Sequence, residues 1–359
     1  MSSLIVECCK IEGMGVHPNA ERLEICRIRG WQCIVQKHKY NVGDLVIYIP
    51  VDAVLPQVFA DKIGVTGYLS HQGGNVLRVK TIKLRGVISQ GLVVSIDEVP
   101  GVKEGDDVAE RLGITKYEVP EQSMPGIQGM PRRQHPDFHK YTHIEHLKNY
   151  PDVLVEGEEC VIAEKLHGCN MRAGMMEARM SDNPWNPRNW WTMLKIALGM
   201  NIDEFHVGSH NVDLQETENN LYWRVAKKYR LDKILPTDWI LFGEIYGKGI
   251  QKLTYDLEDV EVAFFDLMMD GAYVSNEGFR IFCASHNLPM VPELYRGPWK
   301  KELMVMADGK STIASHIREG FVVRPIVERY EHKCGGRVVF KVVSAEYLLS
   351  KNSEEVIAH

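Results

Sequence analysis

The chain opens on short apolar runs that alternate with polar positions and break at glycines. "RLEICRIRGWQCIVQ", "GDLVIYIPV", "NVLRVKTIKL" and "GVISQGLVVSI" carry the two-residue period of half-buried strands, and "EVPGVKEGDD" reads as turn and loop. Several short strands within residues 1–118 predict a small barrel, and an OB-like fold is an economical way to close it. Residues 119–137, "VPEQSMPGIQGMPRRQHPD", concentrate proline and glycine and predict a linker.

From residue 138 to 359 the pattern changes to a mixture. "ECVIAEKL", "DWILFGEIYG", "DVEVAFFDLMM", "EGFVVRPIV" and "GRVVFKVVS" are strand-like, whereas "NNLYWRVAKKYRL", "NEGFRIFCASHN" and "SAEYLLSKNS" have helical spacing. The expected fold class is α+β, with antiparallel sheets in this second domain. An insertion around 175–206 contains "NPWNPRNWWTMLKIALGM", with three tryptophans and an amphipathic helical pattern. It is expected to pack as a surface insertion, with a lid facing nucleic acid as the sharper alternative.

Length and composition narrow the classes. A chain of 359 residues accommodates two ordinary cores, and 45% hydrophobic with 25% charged residues is a globular composition. A formal charge of -6 excludes a wholly basic nucleic-acid coat but not a local basic groove. The period of a strand would put Arg78 with Lys80 on one face and Lys83 with Arg85 on another, a stripe able to track a phosphate backbone or, equally, to be a solvated outer face. No apolar run reaches membrane-spanning length and "MSSLIVECCK" is too polar for a signal peptide, so no membrane partner is expected. Eight cysteines without a CxxC predict reduced thiols and a cytoplasmic or otherwise intracellular compartment. His139, His143 and His146 fall at helical spacing, but no acid or cysteine completes a ligand set, and no structural metal is assigned. A monomer is the simplest assumption.

The stretch "AEKLHGCNMRAG" sets Lys165 between an acid and a glycine turn, either as a solvated charge or as a nucleophile beside a phosphate. Later segments place Glu244 in "FGEIYGKGIQ", Phe265 in "AFFDL", Glu319 in "EGFVVRP" and Lys341 in "VFKVVS". Singly, each has a structural explanation as a turn acid, a core aromatic or an edge-strand charge. In this order they resemble motifs I, III, IIIa, IV and V of the covalent nucleotidyltransferases, the superfamily of polynucleotide ligases and capping enzymes, over residues 140 to 350. The KxHG form of motif I, Lys165 to Gly168, followed by Asn170, is similar to the RNA ligase branch. "HPNAERLEICRIRGWQCIVQ" and "KLRGVISQGL" resemble the amino-terminal OB domain of a two-domain class of ATP-dependent RNA ligases.

The resemblance implies an ATP-grasp-like nucleotidyltransferase domain that uses ATP with magnesium or manganese. It implies that Lys165 attacks the ATP α-phosphorus, that AMP passes to an RNA 5′-phosphate, and that a 3′-hydroxyl displaces it, with nicks in duplexes as the expected substrate and RNA repair as the setting. Glu319 and Glu244 would orient hydrated metal, and Lys341 would neutralise the α-phosphate. Phe265 would stack on adenine, with Glu164, Leu166, His167, Gly168, Asn170 and Arg172 completing the ATP site, Arg172 reaching the leaving pyrophosphate or the RNA phosphate. Three departures bear on this. Val343 replaces a second motif V lysine, leaving Lys341 alone or with help from Arg337 or Lys351; Cys169 stands where threonine is common; and Ser209-His210 replaces a serine-arginine element. A DNA ligase, a capping-type guanylyltransferase and an unreactive RNA-binding protein remain the alternatives.

Overall fold

Alternation in the amino-terminal residues resolves into small antiparallel sheets with a shared inward face. The structure, a computed structural model, describes residues 4–72, 76–117, 129–178, 185, 187–200, 202–251 and 253–349. The chain divides into two compact units: residues 1–120 with 145–152 and 342–359, and residues 121–144 with 153–341. A boundary at 138, drawn from composition, puts 145–152 and the segment from Val342 in the second domain, whereas both group with the first unit.

In the first unit, strands Glu7–Lys10, Leu45–Ile49 and Leu92–Ser95 form one sheet, with Cys8 opposite Ile47 and Val93 opposite Tyr48. Gly13–Val16, Leu23–Ile28 and Trp31–Gln36 form a second, and Thr81–Leu84 pairs with Val87–Gln90 as a hairpin. Side chains stitch that hairpin to the second sheet: Ile34 N donates to Ser89 Oγ at 3.0 Å and Gln32 Nε2 to Ile88 O at 2.8 Å. Gly91, at φ +110, lets two strands approach where a Cβ would lie 2.6 Å from Tyr48 Cε2. The inward positions, among them Cys26, Ile28, Trp31 and Tyr48, pack into a barrel core of the OB type.

The expected strand "NVLRVKTIKL" is in fact two, Val76–Arg78 and Thr81–Leu84, so period-two reasoning fails across the break. Arg78 is buried, donating to Asp52 Oδ1 at 2.7 and 3.1 Å, with its guanidinium 3.7 Å from the Tyr117 ring centroid. Its charge is already engaged by Asp52, which removes it from any RNA-facing stripe. Lys83 is exposed on its strand, and Arg85, also exposed, sits beyond the strand end at φ +45 rather than on a common face with Lys83.

The second unit contains two antiparallel sheets. The larger runs in the order Asp213–Leu214, Glu204–Ser209, Cys169–Met176, Trp239–Gly247, Val260–Met269 and Ala272–Tyr273. Helices Leu221–Lys228 and Asn276–Ser285 pack on the face that holds Met171, Ala173, Leu241 and Ile245, so the alternate positions Asn170, Arg172 and Glu244 face the other way. The smaller sheet includes, in order, Phe340–Val343, Gly320–Pro325, Glu159–Lys165 and Glu293–Pro298. The link Leu166–Gly168 carries the chain from the smaller sheet into the larger.

Two expectations for irregular segments change. Of the linker, 119–128 lies outside the described residues, but 129–137 belongs to the second unit: Arg132 N donates to Asp213 O at 2.7 Å and Pro131 bridges Leu214. In the insertion, 179–184, 186 and 201 lie outside the described residues, and the expected helix spans Pro187–Ala197. Its polar Asn189 and Thr192 are buried while Trp190 and Trp191 are 80% and 66% exposed, so the apolar face is turned outward rather than packed. The segment with His139, His143 and His146 is not helical, and His146 instead caps Lys148 N through Nδ1 at 3.2 Å.

Candidate active site

Lys165 is the last residue of its strand, opposite Gly320, and its Nζ lies 2.6 Å from Glu319 Oε1. The lysine side chain is 13% exposed and the glutamate 3%, so this is a nearly dry ion pair rather than a solvated charge. Glu319 directly precedes Gly320, which lets the pairing of two central strands fix both charges. Leu166 is buried and anchors the turn. His167 places Nδ1 3.9 Å from Glu319 Oε2, and its backbone N–H donates to the Tyr255 hydroxyl at 2.6 Å. Gly168 is required by space: a Cβ there would lie 2.2 Å from Ile245 O and 2.9 Å from Glu244 Cγ.

Asn170 and Glu244 are paired neighbours on the larger sheet. Burial pushes the Glu244 carboxyl up to about 8; Lys165 opposes that rise, Glu319 adds to it, and the Gly168 N–H opposes it. Glu244 Oε1, Glu319 Oε2 and Asn170 Oδ1 are all buried acceptors without a partner among the described residues. Unmade hydrogen bonds at buried oxygens are costly, so these three, two of them on the acids that interact with Lys165, mark a place shaped for something that brings donors or positive charge. Among the described residues no group of three metal-ligating side chains occurs. Two carboxylates of this kind fit a hard cation that keeps most of its waters, as magnesium and manganese do.

Glu164 is also buried. Its Oε2 accepts from Thr312 N at 2.8 Å and from Thr312 Oγ1 at 2.6 Å, leaving Oε1 without a partner among the described residues. Phe265 takes its position from a β-bulge: Phe242 opposes Asp266 and Gly243 opposes Phe264, so Phe265 is the extra residue. It is half-buried between fully buried neighbours, its edge against Tyr141 at 4.9 Å. The segment after Asn287 connects it to Glu164, because Val291 N donates to Phe264 O and Glu164 N donates to Pro292 O. Lys341 lies mid-strand beside Gly320–Pro325, on the face opposite the buried Phe340 and Val342.

Arg172 departs from its expected role. It is fully buried, donating to Phe138 O, to Ser209 O at 2.9 Å and to Gln134 Oε1 at 3.0 Å, with the guanidinium on the Phe138 ring. Burial lowers its pKa to about 10, against the pull of Asp213. With its donors committed to the protein, it ties the segment of Gln134 and Phe138 to the larger sheet and is not poised to grip pyrophosphate. His210 is held below the ordinary histidine value by burial first, then by Arg172 and Lys140. Arg337, the suggested substitute for a second motif V base, is buried in a pair with Asp266 at 2.5 Å and with Glu328; Lys351 lies outside the described residues.

Sequence reasoning missed the supports. Tyr255, Thr312 and Gln251, whose Nε2 donates to Gly168 O at 2.6 Å, lie in loops without periodicity. Asp266 joins Tyr141, Arg324 and Arg337 at 2.8, 2.8 and 2.5 Å behind Phe265. The only available signal for that cluster was an aspartate inside an otherwise apolar strand.

A family model described as RNA ligase matches residues 158–343, and an OB-fold domain model matches residues 5–96. The structure is similar to a Naegleria gruberi RNA ligase with PPi, at 24% identity and TM-score 0.74, covering 96% of this chain and 98% of that one. A mutant of the same ligase with AMP and Mn aligns at 24% identity and TM-score 0.76, again over 96% and 98%. A further mutant, with ATP and Mn, gives 23% and 0.74 with the same coverage. No curated protein matches significantly.

Proposed function

The chain belongs to the RNA ligase family, and from that premise we propose that it is an ATP-dependent enzyme joining an RNA 3′-hydroxyl to a 5′-phosphate through a lysyl-AMP. The observation that carries this reading is the buried Lys165–Glu319 pair at 2.6 Å, together with the oxygens of Glu244, Glu319 and Asn170 that have no partner among the described residues.

In the first step the Lys165 Nζ lone pair forms a bond to the α-phosphorus, and the bond to the bridging oxygen of pyrophosphate breaks, its electrons leaving with pyrophosphate. The ammonium must first lose a proton, and Glu319 Oε1 is the acceptor in reach. A divalent cation held by Glu319 and Glu244, when bound, supplies positive charge against the phosphate oxygens. Lys341, on the strand beside Gly320–Pro325, would supply a further positive charge against the α-phosphate. Phe265 offers a flat face to adenine, Glu164 Oε1 an acceptor for its amino group, and Asn170 Oδ1 an acceptor for a ribose hydroxyl. In the second step the RNA 5′-phosphate displaces Lys165 from AMP, and in the third the 3′-hydroxyl displaces AMP. Base-paired nicks are the substrate this reading favours, with Lys80, Lys83 and Arg85 of the first unit contacting phosphates.

Incubation with a divalent metal and α-labelled ATP tests the reading. Covalent label is expected on the wild type and absent from Lys165→Ala; preference for GTP points to capping chemistry, and absence of label refutes the enzyme. Sealing of RNA, DNA and hybrid nicks then identifies the polymer.

A further inference from the structure

Behind the Leu166–Gly168 turn lies a support that its sequence context does not announce. Tyr255 is buried, and its hydroxyl accepts the His167 backbone N–H at 2.6 Å. Its ring meets His316 edge-on at 4.5 Å and Tyr246 at 4.9 Å. The next residue, Asp256, takes Ser315 N at 2.9 Å and Ser315 Oγ at 3.3 Å. One loop therefore holds the turn after Lys165 with one residue, and the segment leading to Glu319 with the next.

The backbone is strained to do so. Tyr255 and Asp256 are consecutive non-glycine residues at φ +54 and +59. Left-handed conformations in large side chains persist only where the surroundings over-determine them, and they cluster at functional sites. The phenol also lies within electrostatic reach of Glu319, Glu164 and Glu244. Burial, with those acids, keeps it un-ionised, so it is a neutral support among charges.

We infer that Tyr255 is a positioning residue for lysine adenylylation: its hydroxyl fixes the His167 amide, and through it the reach of Lys165 Nζ towards Glu319 and the α-phosphorus. This rests on the proposed ligase reading. It goes beyond that reading in assigning the first chemical step a determinant that lies 90 residues from the nucleophile in sequence and outside all five motifs.

The third step provides the control, because sealing of RNA already carrying a 5′-AMP does not use Lys165 as a nucleophile. Tyr255→Phe keeps the ring against His316 and removes only the hydroxyl. Its rate of self-adenylylation at saturating ATP should fall about tenfold, the effect of one anchoring hydrogen bond, with the ATP concentration for half-maximal rate little changed. Sealing of pre-adenylylated RNA should stay within about twofold of wild type. Equal losses in both assays would reduce Tyr255 to general pocket stability, and unchanged adenylylation would remove it altogether; either overturns the inference. Asp256→Asn, which keeps an acceptor for Ser315, should stay within about twofold of wild type in both assays; a tenfold loss of adenylylation there would mean that loop strain, not the hydroxyl, positions the lysine. If wild-type protein takes no label at all, the ligase reading fails before Tyr255 is in question.

Discussion

Glu244 offers the most direct energetic test, because burial has moved its carboxyl from the ordinary 4.5 to about 8. The perturbation is Glu244→Gln, which keeps size and polarity but cannot ionise. Below pH 4.5 the wild-type carboxyl is protonated in both folded and unfolded chains, and its contribution is fully present. As pH rises towards 8 the unfolded chain releases the proton while the folded one retains it, so stability falls; above about 8 the loss is complete. At about 1.4 kcal/mol per pH unit over that interval, the ceiling is about 5 kcal/mol. Even a third of it, about 2 kcal/mol, is readable as a shift in a urea midpoint. Urea unfolding of ligand-free wild type and Glu244→Gln, followed by tryptophan fluorescence at intervals from pH 4.5 to 8.5, measures it. The variant should match wild type at the acid end and become progressively more stable towards the alkaline end, with unchanged m. Parallel pH profiles for the two proteins would show that Glu244 ionises like an exposed carboxylate, and the dry site argued from its burial would be wrong.

Four further outcomes are expected. Lys165→Met should lower ligand-free stability by about 3 kcal/mol by stranding Glu319, and the double variant with Glu319→Gln should recover most of that loss in a double-mutant cycle; coupling below about 0.5 kcal/mol would show the pair to be solvated. Asp266→Asn should cost about 3–5 kcal/mol by leaving Arg324 and Arg337 buried with weakened compensation, as measured by thermal unfolding. Arg172→Leu should reduce the melting temperature while the ATP concentration for half-maximal adenylylation changes little; a large rise in that concentration with normal stability would restore Arg172 to the ATP site. Alanine at Lys80, Lys83 and Arg85 together should weaken RNA binding and reduce its log–log salt slope by about 2–3, at roughly one per lost phosphate contact.

The strands Trp239–Gly247 and Val260–Met269 were legible because alternating burial leaves a period in sequence. Spaced motifs singled out Lys165, Glu244, Phe265 and Glu319, and of these the structure brings the lysine and both acids together. The failures share a physical cause: charge is written in sequence, but the company it keeps is not. Arg78 and Arg172 read as phosphate grips, yet their guanidinium groups lie on aromatic rings and donate to protein acceptors. The Arg78–Lys80 stripe also assumed a strand that ends at Arg78. Tyr255 and Thr312 work through backbone amides across loops, contacts that leave no local pattern. The exposed tryptophan helix shows the converse, since amphipathic spacing predicts two faces without saying which one meets the protein.

The extra residue at Phe265 ties two neighbouring side chains to unrelated obligations: one ring left half-exposed, and next to it an aspartate clamped by two arginines. Deleting a single residue from this strand would erase the offset and send every later side chain to the wrong side, so that aromatic surface and buried charge would be lost together. Length in this strand is thus as constrained as composition, whereas the nearby turn around Lys248, whose exposed ammonium meets an exposed Glu258, has room to vary.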